Sequence, residues 1–260
     1  MALRDERGRR IFIGGGVDFN AVKSIAITTE PTNTQYAGNP LDLTGLVITA
    51  TKNDGTTEVV TNKVICNREV WGSAVETVVT FGYKEKACYW TVTPTAVIPT
   101  SMTVKTAPTK TEYKFGEAID LTGAVLEVTY NDSHKSDVAG TAEGVTVSPT
   151  TMGADTASVT ISYTEGETTV TVTQAVTLVE PDSATIETPA TKLTYTAGED
   201  VDLTGLTVEI TYTDDSTAIV GADALTPSPA QVSADTTSIT VTYTEGEVSV
   251  STGYDITVTE

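Results

Sequence analysis

Apolar and polar residues alternate with a period of two along much of the chain. Leu206, Val208, Ile210 and Tyr212 alternate with Thr207, Glu209 and Thr211, and Ile239, Val241 and Tyr243 follow the same rule. Successive side chains of a strand point to opposite faces, so each such run predicts a strand with one buried and one solvated face. No segment of ten or more residues carries apolar positions three and four apart, and little helix is expected. Turn chemistry punctuates the runs. Thr-Glu-Gly-Glu at 164–167 and 244–247 predicts tight hairpins with glycine in the left-handed position. Gly123 and Gly205 predict a bulge or sharp bend at the entry to a long strand, and Asn131-Asp132, Asp214-Asp215 and Asp54-Gly55 stand where that strand turns back.

The pattern repeats. YKFGEAIDLTGAVLEVTY from Tyr113 to Tyr130 matches YTAGEDVDLTGLTVEITY from Tyr195 to Tyr212, and more loosely YAGNPLDLTGLVITATK from Tyr36 to Lys52, which is one residue shorter. Leu43, Leu121 and Leu203 open the shared Leu-Thr-Gly anchor, 78 and then 82 residues apart. The stretch Val159–Gly166 matches Ile239–Gly246, whereas Val79–Lys86 in the first copy has lost the turn glycine. Short strands with regular turn signals, in a unit of this length, predict an all-β chain of three tandem immunoglobulin-like β-sandwiches behind a short N-terminal arm. The expected divisions are 1–23 (a basic docking arm), 24–98 (a divergent domain), 99–180 and 181–260. The joints Pro94–Pro99 and Glu180-Pro181-Asp182 carry proline, which stiffens such links.

The run Tyr-x-x-Gly-Glu-x-x-Asp-Leu-Thr-Gly resembles the bacterial immunoglobulin-like (Big) domain family. It is close at Tyr113, Gly116, Glu117 and 120–123, and at Tyr195, Gly198, Glu199 and 202–205. It is looser at Tyr36, Gly38 and 42–45, where Asn39-Pro40 replaces the glutamate. The resemblance implies a β-sandwich. It also implies a spacer, binding or add-on role of the kind such domains have in bacterial surface proteins and tailed-phage virion proteins. Fold alone does not fix function.

Charge changes the picture along the chain. The formal net charge is −20, yet residues 1–23 hold five basic and three acidic groups, so the remainder carries −22. An acidic body stays soluble and repels nucleic acid and anionic lipid, so neither nucleic-acid binding nor membrane insertion is expected. The opening MALRDERGRRIFIGGG lacks the apolar run of about 7–15 residues of a secretory signal, which predicts a protein made in a cytoplasm and not exported by the usual route. Two cysteines, Cys66 and Cys88, are too few for a disulfide framework; free thiols are expected, with a local bridge as the alternative.

Candidate chemistry is sparse. His134, the one histidine, sits in the loop 131–135, and its counterparts in the other copies are not histidine, which argues against most histidine-based catalytic and metal arrangements. Gly14-Gly15-Gly16 lacks a following Gly-Lys-Ser/Thr and reads as a joint, not a phosphate loop. The acidic clusters lack an Asp-x-Asp-x-Asp-Gly pattern and read as solvated carboxylates rather than a calcium site. No catalytic residue, metal or cofactor is expected. Trp90 is expected inside, aligned with Val170, whereas Trp71 lies in a stretch without counterpart and is a possible contact surface on the first domain. The docking residues are expected in the arm: Arg4, Arg7, Arg9 and Arg10, whose guanidinium groups suit carboxylate-rich surfaces, and Ile11, Phe12 and Ile13, which suit addition of a strand to a sheet edge.

These features together predict a non-enzymatic structural protein of a tailed-phage virion, a head decoration, head fibre or tail accessory. The arm and first domain would anchor it to other capsid or tail proteins, with the outer domains projecting and available for adhesion to a host cell-surface glycan or protein. A homo-oligomer located in the virion is expected. The alternative is a fragment of a bacterial cell-surface stalk or adhesin, located at the cell surface, or a carbohydrate-binding module.

Overall fold

The computed structural model of the protein describes residues 18–259. It contains three tandem immunoglobulin-like β-sandwiches and, among the described residues, no α-helix. Among the described residues no helix is long and apolar enough to cross a membrane. The chain divides into two compact units, one ending at Ile98 and one beginning at Pro99.

In the first unit β1 (Val22–Thr29), β2 (Val47–Lys52) and β3 (Thr57–Val59) form one antiparallel sheet. The second sheet joins β4 (Ile65–Cys66), β5 (Thr77–Tyr83) and β6 (Lys86–Val92). Alternation sends Ile25, Ile48 and Ala50 inward from one sheet and Val79, Phe81, Cys88 and Trp90 inward from the other. Their packing closes the core, because each strand buries every second side chain.

The second unit holds the other two sandwiches. The second sandwich comprises β7 (Pro99–Thr106), β8 (Glu112–Lys114), β9 (Val125–Tyr130), β10 (Lys135–Ala139), β11 (Val145–Ser148), β12 (Ser158–Glu165), β13 (Thr168–Ala175) and β14 (Thr177–Val179). Its sheets run β10-β9-β7 and β11-β12-β13, and β8 pairs in parallel with β14. The third repeats this arrangement with β15 (Pro181–Thr188), β16 (Thr194–Thr196), β17 (Thr207–Tyr212), β18 (Thr217–Gly221), β19 (Leu225–Ser228), β20 (Ser238–Glu245), β21 (Val248–Asp255) and β22 (Thr257–Thr259). In the first sandwich the parallel pair is reduced to a single bridge between Tyr36 and Thr95. Pro99 and Pro181 are the first residues of β7 and β15, where a missing N–H is tolerated, and each is followed by a register shift.

The turns follow the glycines. Gly166 and Gly246 have φ of 59° and 61° at the first central position of the β12–β13 and β20–β21 hairpins. The first copy, without that glycine, turns on Lys84 and Glu85, both left-handed at φ 45° and 64°. Its hairpin is also shorter, since Tyr83 pairs with Lys86 whereas Tyr163 pairs with Val170. Trp90 is therefore buried as expected, but it faces Val79 across the strands. The matching Val159 faces Gln174, so Gln174 and not Val170 is its counterpart.

Candidate interaction surfaces

The Asp-Leu-Thr-Gly anchor is a structural device. The Asp120 carboxylate accepts hydrogen bonds from the Thr122 backbone N–H (2.8 Å) and hydroxyl (2.6 Å), and Asp202 accepts the same pair from Thr204 at 2.9 and 2.6 Å. These bonds, the hydroxyl first, hold both carboxyls below the usual range. Asp42 is held lower still, at about 2, first by the Asn33 side chain (2.7 Å) and then by Thr44. The following glycine is left-handed at every copy, with φ of 83–86° at Gly45, Gly123 and Gly205. A Cβ on Gly123 would lie 2.6 Å from Thr109 Cγ2, so the position is closed to larger residues on both grounds.

The buried tyrosine of the motif ties this turn to the rest of the sandwich. Tyr113 Oη donates toward the carbonyls of Lys110 (2.9 Å) and Asp120 (3.0 Å) and accepts from the Asp120 N–H; Tyr195 does the same with Lys192 and Asp202. Glu117 and Glu199 accept from the backbone N–H of Lys114 and Thr196 at 3.0 Å and pair with Lys110 and Lys192. Lys110 and Lys192 also lie over the rings of Tyr113 and Tyr195. The motif is thus part of the hydrogen-bonded skeleton of the fold.

The first copy solves the same packing problem differently. Gln35, and not Tyr36, takes the tyrosine's place: Gln35 Nε2 donates to the Asp42 carbonyl (2.8 Å), and Gln35 Oε1 accepts from the Asp42 N–H (3.1 Å), seven residues on as in the other copies. The missing residue lies upstream of the glutamine, between Thr32, which packs on Gly45, and Gln35. The volume lost from the ring is supplied by Trp71, whose Nε1 donates to Gln35 Oε1 at 2.9 Å. Trp71 occupies the position of Met152 and Val232, as the matching bonds from Gly38, Gly116 and Gly198 to their carbonyls show. The expectation that Trp71 offers a contact surface is corrected here. It is 2% exposed, packed edge-on against Trp90 at 6.1 Å and covered by the Arg68 guanidinium at 5.7 Å.

The remaining candidates are also structural. Cys66 and Cys88 are free thiols on β4 and β6, each paired across from Phe81 on the intervening β5. Two strand spacings put their Cα atoms roughly 9.5 Å apart, beyond the limit of about 7 Å for a bridge. The His134 ring stacks on Tyr130 at 4.2 Å and its Nδ1 lies 2.6 Å from Asp132, at the tip of the β9–β10 turn. Beside it Tyr130 Oη donates to Glu165 (2.7 Å), and Tyr163 donates to the same oxygen at 3.3 Å; Tyr212, Tyr243 and Glu245 repeat the group. Among the described residues no group of three or more His, Cys, Asp or Glu is placed to hold a metal. Arg4, Arg7, Arg9, Arg10, Ile11, Phe12 and Ile13 lie outside the described residues.

Within the second unit the two sandwiches meet at a polar joint that the sequence did not announce. Lys114 Nζ lies 3.3 Å from the centroid of the Tyr212 ring, and a Cβ on Gly246 would meet Phe115 at 2.8 Å. An open groove lined by Thr109, Lys110, Lys114, Phe115, Glu117 and Asp214 runs along this joint. Its walls carry both signs, Lys110 and Lys114 together with Glu112, Glu117 and Asp214.

Residues 106–174 match the family model of the bacterial Ig-like domain (group 3), from the last residue of β7 to the penultimate residue of β13. The second sandwich is thus similar to a bacterial Ig-like domain. The third sandwich repeats its strand pairings and its Asp-Leu-Thr-Gly anchor, and the first keeps the anchor with a rebuilt core. No curated protein matches the chain. Among solved structures, domains 4–9 of the surface layer protein SbsC share 13% identity over 92% of this chain and 48% of that one, with a TM-score of 0.24. The I-band fragment I67–I69 from titin shares 11% over 92% and 100%, TM-score 0.27. The N-terminal eight Ig domains of Down Syndrome Cell Adhesion Molecule share 10% over 93% and 37%, TM-score 0.29. The chain spans about half the length of the SbsC fragment. At these scores the likeness bears on neither role nor partner.

Proposed function

We propose that the protein is a non-enzymatic structural component of a tailed-phage virion, a head decoration, head fibre or tail accessory. In this reading the N-terminal arm and first domain attach to capsid or tail proteins, and the second and third repeats are presented outward. One observation carries the proposal: charge is graded along the chain. Residues 1–23 carry +2. Residues 24–98 hold five basic and seven acidic groups, net −2; residues 99–180 hold four and eleven, net −7; residues 181–260 hold one and fourteen, net −13. The near-neutral end tolerates a crowded protein surface, while the acidic end repels its neighbours and stays solvated. The first copy is also the one whose core has departed from its siblings.

The test is co-sedimentation of the purified chain with virions, mature capsids and tails of a phage that carries the gene. Association that survives washing and is lost on deletion of residues 1–17 supports the reading. Failure to associate with any of these particles overturns it. A second reading, a segment of a bacterial cell-surface stalk, is favoured by the bacterial Ig-like match at 106–174. It predicts the chain in the cell-wall fraction of a producing bacterium and absent from virions. As an adhesin or carbohydrate-binding module it would also give reproducible hits on a glycan array.

A further inference from the structure

Each sandwich takes in its chain at one end and lets it out at the other. In the second, Pro99 faces Tyr130, the last residue of β9, whereas Tyr113 of β8 is tied to Asp120 ahead of β9, and β14 leaves alongside β8. β8 and β14 run parallel, so tension on the two ends of the chain slides one strand along the other. The bonds of such a pair lie across the line of pull and share the load, instead of parting one after another. The pair spans Glu112–Lys114 and Thr177–Val179 and opens with the Thr177 N–H donating to the Thr111 carbonyl at 2.9 Å. The third sandwich repeats it: Thr194–Thr196 runs along Thr257–Thr259, opened by the Thr257 N–H donating to the Leu193 carbonyl at 2.9 Å.

The first sandwich has the same path but not the same pair. Its β1–β2 ladder carries two register shifts, as β7–β9 and β15–β17 do. Its parallel contact, however, is the one bridge Tyr36–Thr95, held by the Thr95 N–H on the Gln35 carbonyl (2.7 Å) and the Ala37 N–H on the Thr95 carbonyl (2.9 Å). The exchange of tyrosine for glutamine is the cause. Thr111 and Leu193, whose carbonyls open the longer pairs, stand two residues before Tyr113 and Tyr195. Asn33 stands two before Gln35, and its carbonyl accepts from the Gln35 side chain at 3.0 Å. We propose that the chain bears tension along its length and that the first sandwich yields before the second and third. A parallel ladder of three residues on each strand carries about four bonds. The two bonds at Thr95 therefore set the yield force of the first sandwich at about half that of its neighbours. By extending first, it limits the load on whatever holds the chain and leaves the other two sandwiches folded. Forced unfolding follows the barrier along the pulling direction and not the equilibrium stability.

This order of yielding does not rest on the virion reading, since it is measured on the purified chain without particles. The experiment is single-molecule extension of the full chain, held by peptide tags at its two ends, in a Cys66→Ser background that leaves Cys88 as the single thiol. One unfolding event at about half the force of the other two is expected. Cys88 is buried in the first sandwich. With the chain clamped between the two force levels, a thiol reagent should therefore reach Cys88, and after relaxation the low-force event should not return. Thr177→Pro removes the donor that opens the pair of the second sandwich, at an exposed position. It should turn one high-force event into a low-force one. T257P should do the same in the third sandwich, and T177P/T257P should leave no high-force event. Three events at one force, a low-force event that returns unchanged after the thiol treatment, or a folded T177P chain that keeps both high-force events overturns the proposal. If T177P and T257P fail to fold by circular dichroism, the thiol experiment decides alone.

Discussion

Trp71 and Gln35 stand in for a single tyrosine: the indole Nε1 donates to the glutamine Oε1 at 2.9 Å in a core where the sister domains bury Tyr113 and Met152, or Tyr195 and Val232, at the equivalent positions. Their exchange is coupled, because a ring at both positions would overfill the site and a ring at neither would leave a cavity. Trp71→Ala is expected to destabilise the first domain by about 3–5 kcal/mol. Gln35→Tyr alone should cost about 1–3 kcal/mol through overpacking. The double variant Q35Y/W71M should be more stable than the sum of the single changes allows, by about 1–3 kcal/mol. Both tryptophans lie in the first domain, so urea unfolding followed by tryptophan fluorescence isolates its stability within the intact chain. Strict additivity of the two changes would refute the coupling.

That pair also marks where sequence reasoning stops. The alternation at 206–212 is the strand β17, and the turn glycines at 166 and 246 adopt the left-handed conformation their position demands. Such features are local, and local chemistry is legible. The role of Gln35 is not local, for it depends on a tryptophan thirty-six residues away. Spacing carried a hint: Tyr113 and Tyr195 stand three residues before their glycines, whereas Tyr36 stands two before Gly38. Counting back from the glycine finds Gln35. Ile65, Val78 and Tyr89 likewise stand exposed on β4, β5 and β6 where the second sandwich has Thr146, Ser158 and Thr173, but the shortened hairpin shifts the alignment of β6 and hides the exchange. The joint at Lys114 and Phe115 left no signature, because Lys114 does not break the pattern of β8 and Phe115 lies in the turn just past it.

The two thiols should behave as strangers. Phe81 separates their strands, and Cys88 is buried while Cys66 is partly open. Burial pushes the Cys88 thiol above its usual value, which suppresses the reactive thiolate. Native protein is expected to react with a thiol reagent at Cys66 first, and at Cys88 only on a timescale set by unfolding. Mild oxidation should leave the mass at that of two free thiols within each chain. Rapid formation of an intramolecular bridge under native conditions would contradict the pairing of β4, β5 and β6.

Stability should fall at both ends of the pH range, for different groups. Asp42, Asp120 and Asp202 have folded-state values below those of an unfolded chain. Their contribution is complete above about pH 4 and drains away as pH falls toward the folded value, which for Asp42 is about 2. Asp120→Asn or Asp202→Asn should flatten this acid limb while lowering stability at neutral pH. On the alkaline side burial raises Tyr130, Tyr212 and Tyr254, with Glu165 and the Tyr243–Glu245 pair adding to the first two; Tyr254 reaches about 12. A raised phenol contributes stability below about pH 10 that is lost as pH climbs through the folded value. Absorbance at about 295 nm should therefore show these phenols ionising late and together with unfolding. Simple titration of all ten tyrosines near the free value, without unfolding, would contradict the buried hydroxyls.

The Lys114–Tyr212 contact should make the second and third sandwiches behave as one unit. An ammonium over a ring contributes about 0.5–2 kcal/mol, and Phe115 adds an apolar contact on Gly246, where no larger residue fits without displacing the ring. Lys114→Met keeps most of the stem and removes the charge, so it isolates the cation–π term. Lys114→Met with Phe115→Ser should leave each sandwich folded, because Lys114 and Phe115 are not buried in the core of the second sandwich. It should split a single calorimetric transition of the second unit into two and broaden its small-angle scattering profile as the repeats reorient. Lys114→Arg, which retains the cation, should preserve the single transition. The outcome that defeats this account is a double variant whose transition and scattering both match wild type, since the joint would then hold by chain connectivity at Pro181 alone.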